Sequence, residues 1–300
     1  MGPYLPIIDH ELERKVIHFT ESEGYISPPF PLFTEGYPFG SDKDGRDLLS
    51  LIVIGTRNTM WTVLLIVLLR YTVAIPLTLI ASLGSRNPIS WFITKWSDSF
   101  SFLPTLFIAI VYLHLPFVHE SEERFLWGIF GLALIEIGRL SQFFQEQITA
   151  LSKKEYVESG IMIGNTKMGL LFRYYWPALR PYLIVNFMQD IGKVMLLLGP
   201  LGFLQIFLVE GFIVVSYATT YLNYELINLP ELLGYNKWHI ITHPFLPLTI
   251  GFAISFIILT FYWLGEGLRK YYEERNSSFR RSRSSVWKGM ILVRKGEDVT

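Results

Sequence analysis

Ionisable side chains inside apolar stretches are the residues of this chain best placed to do chemistry. Arg70, Asp190 and Lys193 each interrupt such a stretch, and an ionisable group within a membrane-spanning segment is a candidate for an ion or substrate pathway. Asp190 and Lys193 are three residues apart, as are Glu136 and Arg139, so each pair can meet on one helix face. Because such pairs neutralise themselves, we expect them to pack between helices. The alternative places Arg70, Asp190 and Lys193 on a translocation path.

A second group of charges lies in residues 40–57, GSDKDGRDLLSLIVIGTR. We predict that its charged side chains form an ion-pair cluster that seats the segment against a helical bundle; these are Asp42, Asp44, Arg46, Asp47 and Arg57. Contact with a substrate-binding protein is the functional alternative. The carboxylates lack the regular ligand spacing of a calcium loop, so calcium is not expected.

Catalytic and metal-binding signatures are missing from the sequence. His239 and His243 have the four-residue spacing of helical metal ligands, but no third ligand is evident, and the chain has no cysteine. It contains no G-x-x-x-x-G-K-[ST], G-x-S-x-G or H-E-x-x-H motif. We therefore expect neither an enzyme nor a bound metal or cofactor, and any ATP hydrolysis must come from another chain.

The elements that position these residues are predicted to be membrane helices. The 300 residues are 51% hydrophobic and 17% charged, whereas soluble domains carry about 25% charged residues. Five apolar stretches reach the roughly 20 residues that a span needs: 59–83, 99–118, 125–144, 182–209 and 244–264. None alternates as a barrel strand does, so an all-α membrane protein is expected. Lys+Arg and Asp+Glu both number 26, which gives no indication of a nucleic-acid partner.

The loop charges predict an orientation. Arg86 and Lys95 follow the first span, the acidic HESEERF follows the second, and basic residues follow the third and the fifth. Basic loops face the cytoplasm, so the C-terminus is predicted inside and the N-terminal segment outside. The first thirty residues lack the basic start and apolar core of a signal peptide.

A polar insertion, residues 155–177 (EYVESGIMIGNTKMGLLFRYYWP), separates the third and fourth spans. Glu155 and Glu158 suit the first turn of a short helix, and Gly164 can end it with left-handed backbone angles. A second short helix, residues 166–176, is expected to end before Pro177. The result is a rigid corner that fits a cleft on a partner; an amphipathic helix on the lipid surface is the alternative.

Several of these motifs, in this order, resemble the C-type permease of oligopeptide, dipeptide and nickel ABC importers. That family's pattern G-T-D-x-x-G-R-D-x-x-S-R-x-x-x-G-x-R-x-S is matched by Gly40, Asp42, Gly45, Arg46, Asp47, Ser50, Gly55 and Arg57. The polar insertion resembles its cytoplasmic coupling motif, E-A-A-x-x-x-G followed by I-x-L-P, at Glu158, Gly164 and Pro177. The departures are Ser159, Gly160, Tyr174 and Trp176 at the Ala, Ala, Ile and Leu positions. Compared with the family, we also expect the first helix to be absent from this sequence.

The resemblance implies the permease bundle of a type I ABC importer in a bacterial cell membrane, with peptides as the first expected substrate and nickel or another small solute as the second. Its implied partners are a homologous permease forming a heterodimer, two cytoplasmic ATP-binding subunits that use ATP and magnesium, and an extracellular substrate-binding protein. We expect residues 1–57 to be external, 58–268 to be the transmembrane domain with its coupling element at 145–181, and 269–300 to be a basic tail. The coupling residues would be Glu155, Glu158, Gly164 and Pro177. The departures motivate a second hypothesis, a transport-inactive scaffold or sensor of the same fold.

Overall fold

The computed structural model describes residue 12 and residues 18–20, 24–83, 88–208, 212–216, 219–222 and 226–297. Its α-helices are α1 (Leu48–Ser82), α2 (Pro88–Ser101), α3 (Thr105–Leu113), α4 (Pro116–His119), α5 (Arg124–Ser152), α6 (Glu155–Met162), α7 (Lys167–Leu170), α8 (Trp176–Phe203), α9 (Leu229–Asn236) and α10 (Phe245–Glu297). A π-helical turn, Leu171–Tyr175, joins α7 to α8, and a 3₁₀ turn, Lys237–Ile240, follows α9.

Two short antiparallel hairpins complete the described structure. The strands β1 (His18–Thr20) and β2 (Gly24–Ile26) pair with His18 opposite Ile26. The strands β3 (Phe212–Ser216) and β4 (Thr219–Leu222) pair with Phe212 opposite Leu222. The architecture is nevertheless that of a helical membrane protein, as the composition predicts.

Four helical runs are long and apolar enough to cross a membrane: Leu48–Ser82, Arg124–Ser152, Lys167–Phe203 and Phe245–Arg275. They correspond to the first, third, fourth and fifth predicted spans. The core lies where α1, α5 and α8 meet, and Val63, Leu132 and Val194 are fully buried there. Residues 1–11 and 13–17 of the predicted external segment, and Arg86 of the first loop, lie outside the described residues.

The second predicted span, residues 99–118, is wrong as a single helix. Helix α2 ends at Ser101, α3 begins at Thr105, and the two meet at 88°. Pro104 lies at the break and precedes α3; its ring restricts the residue before it to non-helical angles, which ends α2 early. Neither α2 nor α3 has the roughly 20 residues of a span.

The two helices nevertheless follow α5 together. Ser90 of α2 contacts Gln145 at one end, and the Tyr112 hydroxyl of α3 donates to the Trp127 carbonyl at the other, 2.9 Å away. The part of α5 between these contacts, residues 127–145, rises about 27 Å at 1.5 Å per residue. The bent pair α2–α3 therefore covers nearly the thickness of a bilayer core as one broken crossing.

Charged side chains of α5 stabilise the break between α2 and α3 by hydrogen bonds. The Arg139 guanidinium donates to the Phe100 carbonyl and to the Thr105 hydroxyl, each at 3.0 Å. Thr105 in turn donates to Glu136 at 2.8 Å, and Glu136 lies 3.2 Å from Arg139. The predicted Glu136–Arg139 pair is confirmed, and it serves the structural purpose of supplying partners for polar groups freed by a broken helix.

Candidate functional site

The first half of the polar insertion folds as the sequence predicts. Glu155 and Glu158 lie in the first turn of α6. Gly164 has φ of +85°, and its N–H donates to the Ile161 carbonyl at 2.9 Å. The N–H of Asn165 donates to the Gly160 carbonyl at 3.3 Å, which completes a Schellman motif at the end of the helix. The insertion therefore turns sharply at Gly164.

The second half differs from the prediction. Thr166 caps α7 by accepting from the Gly169 N–H at 3.1 Å. The chain does not stop before Pro177 but continues through the π-helical turn into α8. A π turn widens the backbone by one residue, which gives the Pro177 ring room in the first turn of α8, where its missing N–H is tolerated. The turn after Gly164 is thus continuous with a membrane-spanning helix.

The corner of the polar insertion exposes apolar side chains. Met162 and Ile163 are 86% and 81% exposed at the tip. The neighbouring exposed residues are Tyr156, Ile161, Met168 and Phe172. Exposed apolar side chains clustered in this way mark a surface that contacts another protein or the membrane.

Gly160 and Tyr174, two of the residues that differ from the family's coupling motif, pack against each other. A Cβ atom on Gly160 would lie 2.9 Å from Cζ of the Tyr174 ring. Tyr174 also stacks on Tyr156, with ring centroids 6.3 Å apart and planes 20° apart. Glycine at position 160 therefore makes room for the larger ring at position 174, and the fold of the insertion is kept.

Inside the bundle, a charge network joins three helices. Arg70 of α1 is 1% exposed; its Nη1 lies 3.4 Å from Oδ2 of Asp190 in α8, and its Nη2 donates to the Leu132 carbonyl of α5 at 2.8 Å. Lys193 lies 4.0 Å from Asp190, as its three-residue spacing predicts. The Arg70–Asp190 contact was not predicted, because sequence spacing carries no signal for partners 120 residues apart.

The network reaches the protein surface through Lys193, whose side chain is 65% exposed. On the same face of α8 lie Tyr182, Asn186 and Gln189, all exposed or half-buried. Their spacings of three and four residues place all four side chains in one stripe. Sequence reasoning missed this stripe, although the polar residues recur with a helical period.

The segment before α1 forms a smaller ion-pair cluster than expected. Arg46 lies 3.3 Å from Asp42 and 2.9 Å from Asp44. Among the residues that the structure describes, Asp47 and Arg57 make no ion pair with this cluster: Asp47 caps α1 by accepting from a backbone N–H, and Arg57 is exposed. The five-residue cluster is therefore wrong in part: its ion pairs join Arg46 to Asp42 and Asp44 within the segment, and its seating against the bundle stays a prediction.

Glycines shape this segment as the motif requires. Gly40 and Gly45 have φ of +74° and +79°, in the left-handed region that favours glycine. A Cβ on Gly40 would also lie 2.5 Å from the Phe30 carbonyl oxygen. Burial raises the pKa of the Asp42 carboxyl, and the Arg46 guanidinium and two backbone N–H groups partly offset that effect.

Fold and site together define a helical membrane protein with an exposed apolar corner in its polar insertion and a polar stripe on the exposed face of α8. No protein-family model matches the chain. Its homologues are permease proteins of peptide transport systems. The oligopeptide transport system permease protein OppC of Lactococcus lactis subsp. cremoris (strain SK11) is 24% identical over 258 residues, which cover 85% of this chain and 79% of that protein.

Two relatives from Haemophilus influenzae are also similar to this chain. The dipeptide transport system permease protein DppC is 26% identical over 80% of this chain and 76% of its own length. The peptide transport system permease protein SapC is 29% identical over 52% of this chain and 49% of its own length. These homologues are transport proteins rather than enzymes.

Proposed function

We propose that this chain is the membrane-spanning permease subunit of an ATP-driven importer of oligopeptides or dipeptides. The observation that carries the proposal is the apolar corner of the polar insertion at Met162 and Ile163, in a chain whose homologues are peptide permeases along most of its length. The chain itself supplies half of the path, and partner subunits hydrolyse ATP.

The continuity of the insertion with α8 supports a coupling mechanism. The run Lys167–Phe203 passes through the π turn as one helix, and α8 carries Asp190 and Lys193 halfway along. A force applied to the corner by an ATP-binding subunit therefore reaches the middle of the bundle along a continuous helical run. Such rocking of helices around a central path is the basis of alternating access. The residues that shape this connection between the corner and α8 are Glu155, Glu158, Gly164 and Pro177.

The proposal includes the partners and the orientation that the sequence predicts. A homologous permease completes the path, and an extracellular binding protein delivers the peptide. Two cytoplasmic ATP-binding subunits bind the corner of this chain and the equivalent corner of the partner permease. The C-terminus and the polar insertion face the cytoplasm, as their basic residues favour. The C-type assignment rests on the motifs around Gly40 and Gly164. OppC, DppC and SapC are named for peptide transport, so nickel import and an inactive scaffold gain no support.

Replacing Gly164 by valine tests the coupling role. Among the described residues, a Cβ atom on Gly164 would meet no neighbour within 4 Å, so the substitution acts through the φ of +85° alone; a left-handed residue costs about 1–2 kcal/mol. We expect the corner to open and the ATP-binding subunits to be lost on co-purification. Gly36→Val is the matched control, because Gly36 has φ of +78° and equally open surroundings but precedes α1. Retained association and peptide uptake in Gly164→Val would refute the coupling role.

A further inference from the structure

The exposed face of α8 differs in chemistry from those of α1 and α10. The outer face of α1 is apolar, with Trp61, Leu65 and Leu68 exposed, and so is that of α10, with Phe252, Phe256 and Trp263 exposed. These faces suit lipid. The face of α8 instead carries the polar stripe of Tyr182, Asn186, Gln189 and Lys193, which extends about 16 Å along the helix.

A lipid environment does not fit Lys193. A cation on the lipid-facing side of a helix costs at least about 2.5 kcal/mol near the bilayer centre. Lys193 lies about 15 Å along the helix axis from Phe203, which is the nearer end of α8. Its side chain is too short to carry the ammonium over that distance to the headgroups. The stripe therefore does not face lipid; in the proposed importer it lies towards the partner permease, where the translocation path runs.

The charge left at this surface is positive. Arg70 is buried against Asp190 and Leu132, and Asp190 is itself nearly buried, with 9% of its side chain exposed. The three ionisable groups together carry a net charge of one positive unit, and Lys193 presents it to the solvent. A ligand group that complements this surface is an anion.

Beside the cation lies space for an apolar group. One turn beyond Lys193, a groove of about 480 Å³ opens between α8 and α10. Its walls include Leu196, Pro200, Ile254 and Ile258. A cation followed by an apolar groove matches the last residue of a peptide, which presents a carboxylate and a side chain from the same carbon atom.

We propose that Lys193 binds the C-terminal carboxylate of the transported peptide, while the groove between α8 and α10 takes its last side chain. Asn186 and Gln189 then offer amide groups to the peptide backbone along the stripe. Every unmodified peptide has this carboxylate whatever its sequence, so a single cation serves many substrates. This inference rests on the proposed importer function and assigns it a recognition residue within the membrane.

Paired uptake measurements test the assignment. The assembled importer in proteoliposomes receives alanyl-alanyl-phenylalanine or the same peptide as its C-terminal amide, each delivered by the same binding protein. Lys193→Gln should lower uptake of the acid about tenfold, the value of one charge-assisted hydrogen bond, and leave the amide within about twofold. Lys193→Arg should retain preference for the acid. Lys95→Gln is the matched control, because Lys95 is an exposed lysine on α2 away from the stripe.

Each outcome decides between the importer function and the Lys193 assignment. If the wild-type importer accumulates neither peptide, the proposed function is overturned. If it accumulates peptide but Lys193→Gln has the wild-type ratio of acid to amide, the Lys193 assignment alone is overturned. Equal loss of both peptides in Lys193→Gln and Lys193→Arg, with a dissociated complex on gel filtration, would show that Lys193 contacts the partner permease and would also overturn it.

Discussion

The buried contact between Arg70 and Asp190 leads to an asymmetric prediction for stability. Asp190→Asn leaves the Arg70 cation 1% exposed, with the Leu132 carbonyl as a neutral acceptor and Lys193 as a second positive charge nearby. Removing one partner of a buried ion pair costs about 3–5 kcal/mol. Because the Arg70–Asp190 distance is 3.4 Å, longer than a strong hydrogen bond, we expect a value near the lower end of that range.

The opposite substitution is expected to be milder. Arg70→Gln leaves Asp190 close to Lys193, 4.0 Å away, so the carboxylate keeps a cation. We expect a loss of about 1–2 kcal/mol, the penalty of a polar group deprived of one partner. The double variant Arg70→Gln/Asp190→Asn contains neither buried charge and should recover about half of the loss caused by Asp190→Asn alone.

Thermal unfolding of the purified chain in detergent micelles measures these differences. About 3 kcal/mol corresponds to a fall in Tm of roughly 5 °C for a chain of this size. We expect Asp190→Asn to show that fall, Arg70→Gln to show about half of it, and the double variant to lie close to Arg70→Gln. A double variant as unstable as the sum of the single variants would show that the two side chains act independently, and the reasoning would fail.

Two further predictions concern the polar insertion and the broken crossing. Gly160→Ala should reduce association with the ATP-binding subunits, because overpacking against Tyr174 costs about 1–3 kcal/mol, and Gly160→Ala/Tyr174→Ile should restore it in a co-purification assay. An unaffected single variant would contradict the close packing. Arg139→Leu should lower the free energy of unfolding by about 1–3 kcal/mol, since the Phe100 carbonyl loses its donor. Arg173→Leu, at an exposed site, should leave Tm unchanged; equal effects of the two would contradict the proposed role of Arg139.

Local features of the chain could be predicted from the sequence because their causes are local. The left-handed turn at Gly164 follows from the absence of a Cβ atom. The contacts of Lys193 with Asp190 and of Arg139 with Glu136 follow from helical geometry alone. The four unbroken spans follow from runs of apolar residues.

The features that the sequence did not reveal depend on contacts across the bundle. Arg70 meets Asp190 only because α1 and α8 pack together, and no spacing rule relates positions so far apart. The 88° break beside Pro104 is possible because α5 presents Arg139 to it, whereas a proline alone predicts only a kink. Likewise Pro177 ends a helix in isolation, yet here a π turn lets the helix continue.

The broken crossing has a consequence for biogenesis. Among the described residues, the Phe100 carbonyl and the Thr105 hydroxyl at the break bond to side chains of α5, whose residues Glu136 and Arg139 are synthesised after α2 and α3. Until then, neither short helix is long enough to be held across the bilayer by itself. We expect α2 and α3 to remain at the membrane surface or within the insertion machinery at first. They then insert into the bilayer together with α5 as a single helical hairpin. A cysteine introduced into residues 88–113 should therefore react with a water-soluble thiol reagent in released chains that end before α5, and should be protected in chains that include α5.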